Sequence, residues 1–413
     1  MTAASLPGAM SAPVRSRQSA RGAIDPLLLV VVGLLMLIGV LAIYTSSSPT
    51  ALDQVGDKAY FLKRHLLWSG LGLLAAGVAA TIDHRTLQRY SVVLFFGTLA
   101  LLVALLAIAG PINGSSRWLL ASGSIQPSEL AKLTVVVYIA DWLSERREEI
   151  REWAFGIIPY SILMGIVCGL IIMQRDYSTA VLILMVASAM FFVAGAQLQQ
   201  MLVAGSVAGL VLLGFLLSEQ YRIQRVRTFL NPEADPYNAG YQILQALGSF
   251  QSGGMAGVGL GRGQIKHAFP MGTAHTDAIY AVIAEETGAL GCLLLIVLFG
   301  LLAWRGLKIA AGSPDRFSGL LATGITAWLT FQALINMAVV ARLMPFTGIP
   351  MPFVSFGGSS LVTCMAGVGL LANISRRSKP AEARLYAPLD LRRRNRRARL
   401  SRVHRARRAG RRG

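Results

Sequence analysis

The sequence predicts an all-α polytopic membrane protein: ten transmembrane helices, with a long extracytoplasmic loop between the seventh and the eighth. Three observations predict it. The chain is 54% hydrophobic and only 14% charged, against about 25% charged residues in soluble domains. Apolar runs close to the ~20 residues that cross a bilayer recur along its length. Lys and Arg near the N-terminus and in the short connections orient the spans by the positive-inside rule, and the connections then alternate between the two sides.

The runs fall at 26–46, 65–82, 90–110, 126–144, 154–173, 178–196, 200–218, 278–303, 317–341 and 350–373. The first is too long, and too far from a cleavage signal, to read as a signal peptide. Arg15, Arg17 and Arg21 place the N-terminus in the cytoplasm. The connections DHRTLQR (83–89), SERREEIRE (144–152), AGAQLQQ (194–200) and WRGLKIAAGSPDR (304–316) then lie on the same side. An even number of spans returns the C-terminus there. Three regions result: a disordered cytoplasmic segment 1–24, a transmembrane domain 25–375 with its outer loop 219–277, and a basic cytoplasmic tail 376–413. The tail carries 16 of the 39 Lys and Arg residues, so the net charge of +19 is mostly local. It reads as disordered. Beside a membrane, and without interleaved aromatics, it suits anionic lipid better than nucleic acid, at about 1 kcal/mol per basic residue near the surface. Cys168, Cys292 and Cys364 all lie in apolar runs and predict neither a disulfide framework nor a metal site.

Four outer stretches are unlike ordinary connections. In PINGSSRWLLASGSIQPSELAK (111–132), Arg117 stands on the outer side against the positive-inside trend, beside Trp118. Pro127 fits the first turn of a helix, and Glu129 and Lys132 then share a face at i and i+3. They read either as a self-contained ion pair or as part of a polar cavity. MQRDYSTA (173–180) holds Arg175 and Asp176 and reads as a plain polar turn. The loop 219–277 is too long for a mere connector. Its Arg222, Arg225 and Arg227 suit one face of an amphipathic helix, facing phosphate or lipid headgroups. QSGGMAGVGLGRGQIK (251–266) lacks the strand and lysine of a nucleotide loop and reads as flexible backbone carrying Arg262 and Lys266. In RLMPFTGIPMPFVSFGGSSL (342–361), three prolines forbid a straight helix. Broken backbone at that depth must be buried in protein or line a wet cavity.

The segment AHTDAIYAVIAEETG (274–288) concentrates charge at and within a span. Asp277 is either a helix cap favoured by the macrodipole or a reactive acid. Glu285 and Glu286 point about 100° apart; Lys132 or Asn336 from another span is the expected partner for one of them.

NGSSRW with QPSELAK, AGYQILQALGSFQSGGMAGVGLG, AHTDAIYAVIAEETG and PFTGIPMPFVSFGGSS together resemble the SEDS family of bacterial shape, elongation, division and sporulation proteins. The resemblance spans about 25–375. FLNPEADPYNAGYQ and GVGLGRGQIK look more like the cell-division branch, FtsW, than the elongation branch, RodA. There are departures. PMGTA stands where the family has a Pro-Glu-Ala lead into His-Thr-Asp, and QRDYST, with Arg175 and Ser178, stands for Gln-Pro-Asp-Leu-Gly-Thr.

The resemblance implies a peptidoglycan glycosyltransferase of the cytoplasmic membrane. It would polymerise lipid II on the outer face during division, beside a class B penicillin-binding protein and other divisome membrane proteins. It carries the essential Asp onto Asp277, the polar pair onto Glu129 and Lys132, the Arg-Trp pair onto Arg117 and Trp118, and the Ser-rich motif onto Ser355, Ser359 and Ser360. A diphosphate leaving group needs cations rather than an acid, so Asp277 suffices as general base. Lys132, Arg117, Arg262 and Lys266 are the candidate diphosphate contacts, and His275 is a further substrate contact. A divalent cation such as Mg²⁺ is a candidate helper, although no metal cage is visible. The rival readings are a lipid II flippase, or a scaffold that recruits the transpeptidase without catalysis.

Overall fold

The computed structural model describes residues 22–108, 126–218, 220–237, 240–269, 274–345 and 347–378. Among the described residues the regular secondary structure is helical. The helices are α1 (Pro26–Val55), α2 (Tyr60–Thr81), α3 (His84–Arg89), α4 (Ser91–Ile108), α5 (Pro127–Glu145), α6 (Ile158–Met173) and α7 (Tyr177–Val193). They continue with α8 (Leu198–Leu217), α9 (Gln220–Leu230), α10 (Tyr241–Gly253), α11 (Ile279–Gly312), α12 (Arg316–Val340) and α13 (Gly358–Ser375). A helix lies over each of the ten predicted runs. Among the described residues, six stretches are long and apolar enough to cross a membrane: Pro26–Ser48, Trp153–Met173, Leu198–Phe215, Ile279–Gly312, Arg316–Val340 and Gly358–Ser375.

Large apolar side chains cover the outside of the bundle. Leu74 is 64% exposed, Val93 66% and Leu210 69%. A soluble protein rarely exposes such continuous apolar surface; a bilayer requires it. The helices differ in how far they are enclosed. In the most apolar windows of α12 and α13, 72% and 78% of residues are buried, against 6% in α8. So α12 and α13 are central, and α8 stands at the rim. Close approach rests on small residues: a Cβ at Gly369 would lie 2.2 Å from the Ala76 carbonyl oxygen of α2.

One end of the bundle is tied by ion pairs. Asp25 caps α1 by accepting from the amides of Leu27 and Leu28 and pairs with Arg305. Arg377 reaches Asp83 at 3.2 Å, and His84 reaches Asp315 at 3.3 Å. The Gly22 amide donates to the Arg376 carbonyl. These groups come from the connections read as cytoplasmic. The disorder expected of both termini concerns residues that lie largely outside the described ones.

The opposite end departs from the sequence reading in three ways. The loop 219–277 is built, not merely long: α9 and α10 occupy it, with 3-10 turns at Pro232–Ala234 and Ile265–His267. Arg222 of α9 lies over the Phe215 ring at 3.6 Å and bonds to the Phe215 carbonyl at 2.6 Å, so it anchors α9 to α8 rather than presenting a free charge. The glycine-rich stretch is not flexible backbone. Helix α11 breaks at Gly288 (φ 67°, ψ −164°), which frees backbone groups on either side, and the loop fills them. The amides of Val258 and Gly259 donate to the carbonyls of Glu285 and Glu286, each at 3.0 Å, and the amides of Ala289 and Leu290 donate to the carbonyls of Gly254 and Met255. Only glycine permits the approach: a Cβ at Gly257 would lie 2.3 Å from the Glu286 carbonyl oxygen. The break lies nine residues into α11, about 13 Å from its start at 1.5 Å per residue.

Third, the last span begins later than expected, at Gly358 rather than 350. Residues 347–357 are irregular because Pro350 and Pro352 lack the amides a helix needs, and Phe353 has φ 66°. As broken backbone at depth requires, this segment is enclosed: Ile349, Met351, Phe353 and Val354 are at most 4% exposed.

Candidate functional site

The candidate site is organised by α12. Trp328, Gln332 and Asn336 recur at four-residue intervals and so line one face. Gln332 Oε1 accepts from Lys132 Nζ and from Trp328 Nε1, both at 2.8 Å. Its amide nitrogen donates to the Pro350 carbonyl at 2.8 Å. One turn further out, Asn336 Nδ2 donates to the carbonyls of Asp277 (2.9 Å) and Ile349 (2.8 Å). Two buried amides thus join α5, the 347–357 segment and the turn leading into α11.

Lys132 and Glu129 form an ion pair of 2.8 Å with both side chains buried. Burying two charges is costly unless their remaining hydrogen-bond capacity is met. Here Lys132 also reaches Gln332 and lies 5.5 Å from the centre of the Trp328 ring. The pair is therefore not self-contained. Nor is its ammonium a free cation for a diphosphate, as the sequence reading expects: a carboxylate already matches it.

Lys266 is corrected in the same way. It is buried, donates to the Gly261 carbonyl at 2.8 Å, and pairs with Glu286 at 3.2 Å. Glu285 accepts from the amides of Gln264 (2.8 Å) and Ile265 (3.1 Å). Neither glutamate meets Lys132 or Asn336. Both hold the inserted loop against α11. Arg262, on the same loop, is exposed. Beside it a cleft of about 500 Å³ opens between the outer end of α1 and the loop, lined by Tyr44, Ser48, Asp53, Lys58, Lys266 and His267.

Asp277 lies in the turn 274–278, one residue before Ala278, the N-cap of α11. It is half-buried, at a helix N-terminus that favours negative charge. Exposed Gly348 faces it: a Cβ there would lie 3.2 Å from Asp277 Oδ2. His275 does not present a charge to a ligand. Its ring is 2% exposed and packs on Phe61 at 4.4 Å and Phe356 at 5.5 Å. Burial pushes its pKa down to about 4, so it is neutral at pH 7. Its carbonyl accepts from the Phe356 amide at 2.9 Å, which makes it an anchor for the turn that carries Asp277.

The serines close loops. Ser355 Oγ accepts from the Met351 amide at 2.8 Å, Ser359 Oγ from the Gln126 amide at 3.2 Å, and Ser360 is buried. Asp176 is not a plain polar turn. It is 4% exposed and accepts from Gln126 Nε2 (2.7 Å), Ser128 Oγ (2.9 Å) and the Thr179 amide. Arg175 before it has φ 61°, a conformation closed to the proline of the family pattern. Arg117, Trp118 and the Met271–Thr273 departure lie outside the described residues. Among the described residues, no three His, Cys, Asp or Glu side chains come together to hold a metal ion.

The sequence reading missed Gln332, read Asp176 as part of a plain polar turn, and gave Asn336 the wrong partner. The signal for the amides was present: Gln332 and Asn336 stand four apart in an otherwise apolar span, a spacing that puts both on one buried face.

This arrangement has relatives. A protein of Geobacter sp. strain M18 named "Probable peptidoglycan glycosyltransferase FtsW" is 38% identical over 360 residues, 86% of this chain and 98% of its own. Stage V sporulation protein E of Bacillus subtilis strain 168 is 38% identical over 363 residues, again 86% of this chain and 98% of its own. Among solved structures, one described as "Structural coordination of polymerization and crosslinking by a peptidoglycan synthase complex" contains a chain that superposes with a TM-score of 0.72 at 28% identity, covering 87% of this chain and 99% of that one. The crystal structure of the rod shape determining protein RodA of Thermus thermophilus gives 0.65 at 28% identity, with the same coverage. The family model for cell cycle proteins of the FtsW, RodA and SpoVE type matches residues 25–380, a stretch that takes in α1 to α13, the broken α11 and the amide-braced turn of Asp277. The chain belongs to that family.

Proposed function

We propose that this protein is a peptidoglycan glycosyltransferase that polymerises lipid II at the outer face of the cytoplasmic membrane during cell division, with Asp277 as general base. The chain crosses the membrane ten times with both termini in the cytoplasm, so that the Asp277 end faces outward. One observation carries the chemistry. Asp277 lies at that end half-buried and beside the exposed backbone of Gly348, where a sugar hydroxyl can reach it, whereas the side chains of Glu129, Glu285, Glu286 and Asp176 are enclosed in the protein.

The acceptor sugar's 4-hydroxyl oxygen attacks the anomeric carbon of the donor. The bond from that carbon to the diphosphate oxygen breaks, and its electron pair leaves with the diphosphate. Asp277 takes the hydroxyl proton and later passes it to water. A single displacement inverts the anomeric centre. Hydrolysis of an ordinary glycoside uses two carboxylates because its alkoxide needs a proton; a lipid diphosphate leaves without one. Its charge is met by Arg262, by Lys58 at the cleft, and by Arg117. Any divalent cation would come with the diphosphate, and no step here is routed through one. A class B penicillin-binding protein is the partner that crosslinks the product.

The test is polymerisation of lipid II by the full chain purified with its transpeptidase and read as glycan ladders on a gel. Asp277→Asn is expected to co-purify normally and to make no polymer. Polymer at the parental rate from that variant removes Asp277 from the chemistry.

A further inference from the structure

The geometry points to Asn336 and Gly348 as positioning residues that set the Asp277 carboxylate from two sides. This rests on Asp277 being the base. The turn 274–278 is not helical, so its conformation must be imposed from outside. Asn336 does so at the backbone. One side-chain nitrogen donates to the carbonyls of both Asp277 and Ile349, clamping the Asp277 turn to the 347–357 segment. Both partners are carbonyls. Turning the amide over would set its oxygen against two oxygens, so its donor role is fixed. Asn336 is 2% exposed, so both bonds lie in the protein interior.

The clamp decides where Gly348 lies, since Gly348 is the neighbour of Ile349. Gly348 abuts the Asp277 side chain so closely that a methyl group would stand 3.2 Å from Oδ2 and 3.9 Å from Cγ. That contact is too tight without movement by a few tenths of an ångström. The absent side chain leaves the carboxylate room beside an exposed stretch of backbone, where a sugar hydroxyl must arrive. Asn336 thus holds the main chain of the base, and Gly348 leaves its side chain in place and reachable. Gln332, one turn below Asn336, bonds to the Pro350 carbonyl and to Lys132. The same segment is thereby referenced to the buried ion pair.

Reaction rates are sensitive to such placement: an error of about 1 Å can cost about 100-fold. The experiment compares Gly348→Ala, Asn336→Leu and Asp277→Asn in the full chain purified with its transpeptidase, with lipid II as the probe. Gly300→Ala, whose added Cβ meets nothing within 4 Å, is the reference. Gly348→Ala is expected to lower kcat about tenfold or more, with KM for lipid II within about twofold and the melting temperature of the reference. Asn336→Leu is expected to lower kcat further with the same KM. Parental kcat in Gly348→Ala, a change confined to KM, or a melting temperature that falls with activity overturns the assignment. If Asn336→Leu does not fold, Gly348→Ala decides alone. If Gly348→Ala is fully active while Asp277→Asn is dead, positioning fails and the base stands. If Asp277→Asn is active, it is the base that fails.

Discussion

Replacing Gly288 with alanine attacks the join between α11 and the inserted loop. At φ 67° and ψ −164° the residue occupies a region open almost only to glycine, and holding a side chain there costs on the order of 1–3 kcal/mol. The added Cβ would also lie 2.5 Å from the Gly257 amide nitrogen and 2.6 Å from the Met255 carbonyl. Backbone cannot yield as a side-chain tip does, so the loop must leave the break. Four backbone hydrogen bonds, of 2.9 to 3.2 Å, then go with it, at about 1 kcal/mol net apiece. The combined loss is on the order of 5 kcal/mol, a large share of the 5–15 kcal/mol by which a typical protein is stable. The assay pairs thermal unfolding in detergent with limited proteolysis of 254–262. Gly288→Ala should melt well below Gly300→Ala and be cut in the loop, whereas Gly300→Ala should stay resistant. If the two variants melt together and both loops resist protease, the loop does not depend on the break.

Two further perturbations test the buried charges. Lys132→Met strands Glu129 in the interior and should cost about 3–5 kcal/mol, while Glu129→Gln added to it should restore most of that loss; a double-mutant cycle by thermal melting reads the recovery. His275 provides a pH dependence. Its pKa is lowered from 6.5 to about 4 by burial, so between those values the unfolded state binds more protons than the folded one. Stability is therefore full above about pH 6.5 and declines toward pH 4, by about 3 kcal/mol at the limit. His275→Phe, which keeps a ring beside Phe61 and Phe356, should flatten the melting temperature measured between pH 7 and 5 relative to the parent.

What could be read in advance followed from local rules. Apolar runs located the helices because a bilayer demands length and continuity, and both are written in consecutive residues. The prolines at 350 and 352 predicted broken backbone, since each removes an amide whatever surrounds it. Pairings across distance were not legible. Lys266 and Glu286 are 20 residues apart, and nothing in the glycine-rich stretch shows that its backbone completes the hydrogen bonds of a helix that stops and restarts at Gly288. The same holds for Lys132: its spacing from Glu129 predicted the ion pair, but Gln332, the group that extends that pair into the site, lies 200 residues away. His275 misled for a related reason. The resemblance made it a substrate contact, but residues two apart in a turn face different surroundings, and here the imidazole faces two phenylalanines.

The buried charges around the Asp277 turn show what holds this end of the bundle together. The buried acids and lysines are matched in place: Glu129 with Lys132, Glu286 with Lys266, Glu285 with two amides and Asp176 with three donors. A low-dielectric interior makes any unmatched charge so unfavourable that these groups must be structural before they can be anything else. Glu285, Glu286 and Lys266 hold the inserted loop against α11, Lys132 reaches the 347–357 segment through Gln332, and Asp176 ties the start of α5 to α7. Rigidity built this way lets a half-buried aspartate be presented on irregular chain without losing its position. A reaction on a lipid-linked sugar needs that combination: the turn must open toward headgroups, where helices end, yet the acid must stay fixed to a few tenths of an ångström. On the proposed chemistry, loosening the Gln332 and Asn336 braces should lower the rate before it disturbs binding, because those two amides hold the Asp277 turn and the 347–357 segment, whereas Arg262, the proposed diphosphate contact, sits on the inserted loop.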